Sequence, residues 1–508
     1  MRKNNPFIHL ISITILFGTI LLGTAFYCTA NTQENKDSYS DIIGYWQEYI
    51  LNSGAKEKTS IRKITLNDEG HLTQSITYEM ATQCRIWLND DDIFYRNGHL
   101  GFWGGEFSGE MSEDKNTVLL TYKQMSNPFL LERIRDKKTI ELIDRIEASQ
   151  GKDYVYHVPE QTGDGWECAD LEDVGIDKRH IIECVNQIRA GKYKDTHSLL
   201  IVKNGKLVFE EYFGAEGAIW SPFVNQVYRD RVQMLASVTK SVNSALIGIA
   251  VENGMIHSIH DPAFGLFPEY APLINNEKNK VLIEHLLTMS AGLEWNELDV
   301  PYSDPQNDVN KMGQSPDWIR YSLAKPMVLK PGEKFNYHSG LSLILGEILK
   351  RTSGIPADTF AEKHLFHHLG ISKYQWSKSS RGLIQTGGGL ALRARDMAKF
   401  GQLYLNKGQW QGQQIIPEEW VKDSTRIQIK KLVDGYGYQW WMRSFKAHGK
   451  LIDSYYAIGR GGQFIMVFPA LDLIVVSTAQ NYDYGWANRF YNLVYTYILQ
   501  AVIPVSEN

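Results

Sequence analysis

The segment Met234-Leu235-Ala236-Ser237-Val238-Thr239-Lys240-Ser241 places a serine and a lysine three residues apart. On a helix, residues at that spacing share one face. A serine hydroxyl is a poor nucleophile at its own pKa and needs a base beside it. Lysine can be that base only when neutral, a state that burial or nearby cations favour. The chemistry on offer is nucleophilic, with Ser237 activated by Lys240 as its base. Alone, Ser-x-x-Lys is a weak signal, because many surface helices carry it by chance. Two other segments add to it. In the first, a Pro331-Gly332 turn leads through Asn336-Tyr337-His338-Ser339 to an apolar run. A tyrosine on that loop, set near a cationic lysine, could move protons, although most tyrosines are structural. In the second, Gly459, Gly461 and Gly462 surround Arg460 just before Gln463. Glycines this dense let a substrate approach the backbone, or aim an N–H at an oxyanion. They suit a wide turn equally well.

Elements must hold these residues in place. The Ser237 segment reads as the start of a helix that runs to Glu252 and stops at Asn253-Gly254. Its N-terminal N–H groups would point toward the serine. Tyr337 falls on the loop ahead of an apolar helix at Leu343–Lys350. Ile181, Ile182, Val185 and Ile188 form one stripe of a helix from Lys178 to Ala190. Two hairpins bracket the region. Ser198–Lys203 and Lys206–Tyr212 flank Asn204-Gly205, while Gln463–Phe468 and Leu473–Thr478 flank Pro469-Ala470-Leu471-Asp472. A last helix covers Ala487 to Gln500. Strands at both ends with helices between predict one α+β domain whose terminal strands share a sheet.

Together the three segments resemble the serine β-lactamase-like superfamily, nearest its class C-like esterases, amidases, peptidases and penicillin-binding-protein relatives. His197–Val202, the run from Ile283 to Leu293, Gly387-Gly388-Gly389-Leu390 and Ala394-Arg395-Asp396-Met397-Ala398 carry the same resemblance, which spans Gly165 to Ala501. It implies a β-lactamase/transpeptidase-like antiparallel sheet flanked by helices, a helical subdomain, and an active site between them. Ser237 would be the nucleophile, with Lys240 and Tyr337 sharing the general base and acid work. The oxyanion hole would combine the N–H of Ser237 with that of the residue after the third motif. No metal and no cofactor are implied.

Two departures from the family pattern matter. Ser339 stands where lactamases usually have asparagine. The third motif fits in two registers, and neither contains the family's lysine. Read as Ala457-Ile458-Gly459, it puts the oxyanion N–H on Arg460. Read as Arg460-Gly461-Gly462, it puts that N–H on Gln463. Ser339, Gly459, Gly461 and Gly462 are the expected substrate-side residues. Arg460 or His448 could replace the missing charge. The expected activity is hydrolysis of a small ester, amide or peptide through an acyl-enzyme. β-Lactamase or D-alanyl peptidase action is one alternative, and a non-catalytic ligand-binding or sensor protein is another.

The remaining chain frames this domain, which occupies residues 163–505 of 508. Residues 1–30 begin with Arg2 and Lys3, continue apolar from Phe7 to Tyr27, and end at Cys28-Thr29-Ala30. That is the pattern of an export signal, with an uncleaved membrane anchor and lipid attachment at Cys28 as rivals. Either way the protein is expected outside the cytoplasm, periplasmic or extracellular, with a possible membrane tether through its N-terminus. Residues 31–40 are a polar linker. Residues 41–150 are β-rich, with strands expected at Ser60–Leu66, Leu72–Tyr78, Asp92–Tyr95, Thr117–Tyr122 and Thr139–Ile146. A small antiparallel barrel or sandwich follows from that spacing, and Gly44-Tyr45-Trp46 faintly resembles the opening of lipocalin-like barrels. The formal net charge of −5, without a basic stripe, excludes nucleic acid as a partner. Cys168 and Cys184 could pair or remain buried thiols, and no Cys/His spacing suggests zinc.

Overall fold

A computed structural model describes residues 42–52, 55–66, 72–79, 93–96, 99–102, 107–122, 129–135, 154–213, 229–430, 434–482 and 485–502. The N-terminal signal and linker, and the strand expected at Thr139–Ile146, lie outside these. The chain divides into two compact units, residues 1–148 and 149–508.

In the first unit, eight strands pair antiparallel: β1 (Gly44–Asn52), β2 (Ala55–Leu66), β3 (Leu72–Glu79), β4 (Ile93–Arg96), β5 (His99–Phe102), β6 (Phe107–Met111), β7 (Thr117–Tyr122) and β8 (Phe129–Arg133). Their order is β3-β2-β1-β8-β7-β6-β5-β4, open at β3 and β4 among the described residues. Alternation sets the faces: Val118 is buried and Leu119 exposed, while Leu131, paired with Val118, is buried as well. Trp46 is fully buried, donates its indole N–H to the Ile42 carbonyl at 2.8 Å, and carries the Arg133 guanidinium 4.4 Å above its ring. That is a packing role.

The second unit is α+β, a nine-stranded sheet with helices on both faces. Its strands are β9 (Glu167–Cys168), β10 (Thr196–Lys203), β11 (Lys206–Tyr212), β12 (Ile429–Lys430), β13 (Gly435–Tyr436), β14 (Trp441–Ala447), β15 (Lys450–Gly459), β16 (Gln463–Phe468) and β17 (Leu473–Ala479). The order is β12-β13-β14-β15-β16-β17-β10-β11-β9, so the two terminal hairpins meet at β17 and β10. The sheet is mixed, where the family resemblance implied an antiparallel one. The entering chain lays β9 parallel to β11 and covers an edge that would otherwise expose unpaired backbone.

Period-two alternation in the central strands gives each face a different cover. Phe464, Met466, Phe468 and Val475 share a core with α1 (Lys178–Arg189) and the C-terminal helical segment 486–501. Ile465 and Ile474 face the other way, against Gly401 of α4 (Ala394–Leu405). Between these layers and the helical subdomain runs α2 (Val238–Glu252), buried on every residue from Val238 to Ala250. Polar residues among them are bonded inside, Lys240 to Ser237, Ser241 to the Gln439 carbonyl and Asn243 to the Ser342 carbonyl. Helix α3 (Ser339–Ser353) packs beside α2 and ends at Gly354 in the left-handed region.

One buried charge cluster holds the start of this unit. Arg395 of α4 is 2% exposed and binds Glu210 of β11 in bidentate fashion, at 2.8 and 2.7 Å. It also donates to Thr162 Oγ1, Asp164 Oδ1 and the Glu160 carbonyl. Tyr154 donates to Glu211, and Tyr156 to the Val208 carbonyl. The stretch from Tyr154 to Cys168 is thereby fastened along β11. Cys168 and Cys184 are both free thiols, Cys184 within the core.

Candidate active site

Ser237 caps the N-terminus of α2. Ahead of it, Ala236 adopts φ +46°, a left-handed conformation uncommon for a residue with a Cβ. The Thr239 hydroxyl of α2 accepts the Leu390 N–H, and the Leu235 N–H reaches the Leu390 carbonyl at 2.8 Å. The segment after Gly387-Gly388-Gly389 thus braces the turn that presents the serine.

Lys240 lies one helical turn on, 1% exposed. Its Nζ donates to Ser237 Oγ at 2.9 Å and to the Gly387 carbonyl at 2.5 Å, and sits 4.9 Å from the centre of the Tyr337 ring. Its contacts are neutral acceptors and a π face. Burial therefore pulls its pKa down to about 8, against the opposing pull of the Glu297 charge. Tyr337 is also buried, with Ser237 near enough to act on its hydroxyl. Burial first, and the Glu297 charge second, push its pKa upward, with Ser237 opposing. The three expected catalytic residues therefore meet at one point.

The loop carrying Tyr337 is held by local bonds. Asn336 N–H reaches the Met289 carbonyl, and the Asn336 side chain reaches the carbonyls of Leu293 and Trp295. His338 stacks on Trp295 with centroids 3.7 Å apart, and burial holds its imidazole well below its ordinary pKa. Ser339 is buried and gives both its donors, N–H and hydroxyl, to Glu297. Beside Tyr337, Phe335, Tyr436 and Trp441 form an aromatic wall, with Trp441 5.9 Å from the Tyr337 ring.

The third motif separates into two parts. Gly459 ends β15 with its Cα against the turn that leads into Ser237: a Cβ there would lie 2.0 Å from the Leu235 carbonyl oxygen. Only glycine permits that approach. Gly461 and Gly462, at φ +94° and +103°, make the turn to β16 and face Tyr482 and Ala479. Gln463 exchanges two side-chain hydrogen bonds with the Ala479 backbone. Arg460 is exposed and lies between the Tyr302 and Tyr482 rings, at 4.7 and 5.0 Å. His448 is not near the site. It turns between β14 and β15, nine residues of strand away from Gly459, and its Nε2 contacts the Leu499 carbonyl. It cannot supply the missing charge.

Three members of the site escaped sequence reasoning: the Gly387 carbonyl, Glu297 and Tyr302. The glycine run was visible, but nothing in it marked one carbonyl as the partner of Lys240. Among the described residues, no cluster of three or more His, Cys, Asp or Glu side chains could hold a metal ion, and no helix is long and apolar enough to cross a membrane.

Known proteins share this arrangement of chain. The 6-aminohexanoate-dimer hydrolase of Paenarthrobacter ureafaciens is 24% identical over 309 residues, 54% of this chain and 70% of that protein. An uncharacterized protein of Alkalihalophilus pseudofirmus is 23% identical over 290 residues, covering 55% and 80%. Among solved structures, a proposed 6-aminohexanoate-dimer hydrolase from Bacillus anthracis has the same fold, with a TM-score of 0.51, 20% identity, and coverage of 67% of this chain and 89% of that one. So does EstCE1, a hydrolase with promiscuous acyltransferase activity, with a TM-score of 0.50 at 14% identity over 63% and 99%. Residues 185–484 match the Beta-lactamase family, and the chain belongs to that family of serine hydrolases.

Proposed function

We propose that the protein is an exported serine hydrolase that cleaves small esters or uncharged amides through an acyl-enzyme on Ser237. The observation that carries this is the buried Lys240, bonded to Ser237 Oγ and drawn toward its neutral form. The two neighbouring groups have pKa values pushed apart, Lys240 down and Tyr337 up, which supports a base role for the first and an acid role for the second. Neutral Lys240 takes the serine proton as Oγ bonds to the carbonyl carbon. Tyr337, kept protonated, hands its proton to the departing oxygen or nitrogen and recovers one from the Lys240 ammonium. Water then attacks the acyl group by the reverse relay. Gly459 against Leu235 supports the first register of the third motif, with the N–H groups of Ser237 and Arg460 facing the oxyanion. Export rests on the N-terminal sequence pattern.

In that register the buried Ala457 stands in the place of the family's lysine. A charge-assisted bond to a substrate carboxylate contributes about 1.5–3 kcal/mol, so its loss weakens such substrates by roughly one to two orders of magnitude. An uncharged acyl donor loses nothing. The name of the Paenarthrobacter relative makes linear amides a second class to test.

The test compares kcat/KM for a p-nitrophenyl ester, the 6-aminohexanoate dimer and nitrocefin. Ser237→Ala should lose at least about a thousandfold of every activity while keeping its fold, since the covalent route is gone. Turnover retained in that variant would end the assignment. Arg460→Ala should leave the ester unchanged. Efficient nitrocefin hydrolysis that survives Arg460→Ala would end the charge argument alone.

A further inference from the structure

We infer that Glu297 is a positioning residue of this site: its buried carboxylate ties the Tyr337–Ser339 loop to the 295–302 loop and sets a fixed negative charge beside Lys240 and Tyr337. The inference rests on the reading of Ser237 as nucleophile given above.

Glu297 is 2% exposed. Its Oε2 accepts the Trp295 indole N–H at 2.7 Å and the Ser339 backbone N–H at 2.8 Å. Its Oε1 accepts the Ser339 hydroxyl at 2.6 Å and the Tyr302 hydroxyl at 2.7 Å. A carboxylate has about four acceptor positions, and all four are filled by donors. Glu297 is therefore neither placed to donate a proton nor open to a substrate ammonium. No lysine, arginine or histidine forms an ion pair with it among the described residues. A buried charge supported only by hydrogen bonds is costly, and its position beside the nucleophile gives it a use.

The groups around it come from several elements. Lys240 lies on α2, Tyr337 and His338 on the second-motif loop, Tyr436 on β13, and Tyr302 on Glu297's own loop. Arg460, from the turn after β15, covers the Tyr302 ring. The negative charge works against burial at Lys240 and with it at Tyr337, favouring the protonated form of each. It thus limits how far the lysine is drawn toward neutrality and keeps the tyrosine as a proton donor. The same bonds remove both Ser339 donors from the substrate. Where the resembling enzymes offer an asparagine amide, this site offers only the lone pairs of a hydroxyl.

The test reads the rate at which a fluorophosphonate probe labels Ser237 in the full chain, from about pH 6 to about pH 10, with Ser237→Ala as control. In Glu297→Gln the alkaline plateau should fall, because the loop bonds are weakened. The acid limb should also move to lower pH, because the charge that favours the Lys240 ammonium is gone. Relative to plateau, the rate at pH 7 should rise about threefold, the effect of half a pH unit. A limb that stays where the wild type has it overturns the inference, since a merely structural residue would change the plateau alone. Should Glu297→Gln fail to fold by circular dichroism, Ser339→Ala carries the test. That variant keeps the charge and loses one donor, so the plateau should fall about tenfold with the limb unmoved, the loss of about one charge-assisted bond. An unchanged plateau overturns the inference. Labelling that persists in Ser237→Ala would instead overturn the reading of the nucleophile.

Discussion

Arg395 and Lys240 are buried to nearly the same degree, at 2% and 1% exposed, and are provided for in opposite ways. Arg395 meets the Glu210 carboxylate with Nε and Nη2, gives Nη1 to Thr162 and Asp164, and turns Nη2 to the Glu160 carbonyl as well. Burial opposes its charge, but the hydrogen bonds and charge of Glu210, with Asp164, outweigh it and raise its pKa. Lys240 has a hydroxyl, a peptide carbonyl and a ring face, and burial prevails. A buried cation given full compensation is a fastener. One denied it is kept close to giving up its proton, which is what a general base requires.

The largest effect expected from this contrast is on stability. Among the described residues, Arg395→Met leaves buried Glu210 with only the longer Arg229 bond, at 3.2 Å, as a charged partner. Breaking a buried pair from one side costs about 3–5 kcal/mol. Thermal denaturation should show a clear fall in Tm, and an unchanged Tm would break the contrast at its structural end. Lys240→Met should do the reverse. With the pKa near 8 in the folded state and about 10.4 unfolded, protonated Lys240 weakens the fold by about 3 kcal/mol at neutral pH. The penalty is full below pH 8 and disappears above about 10.4. The variant should therefore melt higher than wild type at pH 7, with the difference closing as pH rises, while Ser237 loses its reactivity. A lower Tm at pH 7 would mean that the lysine is better compensated than its contacts indicate. The smallest effect sharpens the functional end. For the wild-type ester reaction, log kcat/KM should rise about one unit per pH unit below an apparent pKa of about 8 and level off above it, read at the p-nitrophenol isosbestic point. A limb centred near pH 6.5 would point to a histidine instead.

Legibility from sequence followed the range of the contacts. Ser237 and Lys240 are neighbours on one helix, so their spacing was enough. Helix α1 and both hairpins are local patterns too, and they formed within a residue or two of their expected ends. Helix α3 was different: it begins at Ser339, four residues ahead of its apolar run, because the Ser339 N–H is capped by a carboxylate 42 residues away. The Gly387 carbonyl reaches Lys240 across 147 residues. Contacts of that range leave no periodicity in the chain. The same holds for Trp295-Asn296-Glu297, whose acid looks like any loop glutamate until the fold buries it.

The fastening at Arg395 also redraws the start of the catalytic unit. A boundary at residue 163, where the composition changes, runs through the middle of it. Asp164 would remain, but Tyr154, Glu160 and Thr162 would be left behind, and with them two of the five bonds to Arg395 and the Tyr154 bond to Glu211. Electrostatics and composition thus mark different edges, and the electrostatic one is physically binding. For anyone wishing to isolate the hydrolase, the place to cut is ahead of Tyr154, so that Tyr154, Glu160, Thr162 and Asp164 all stay with the interior they fasten.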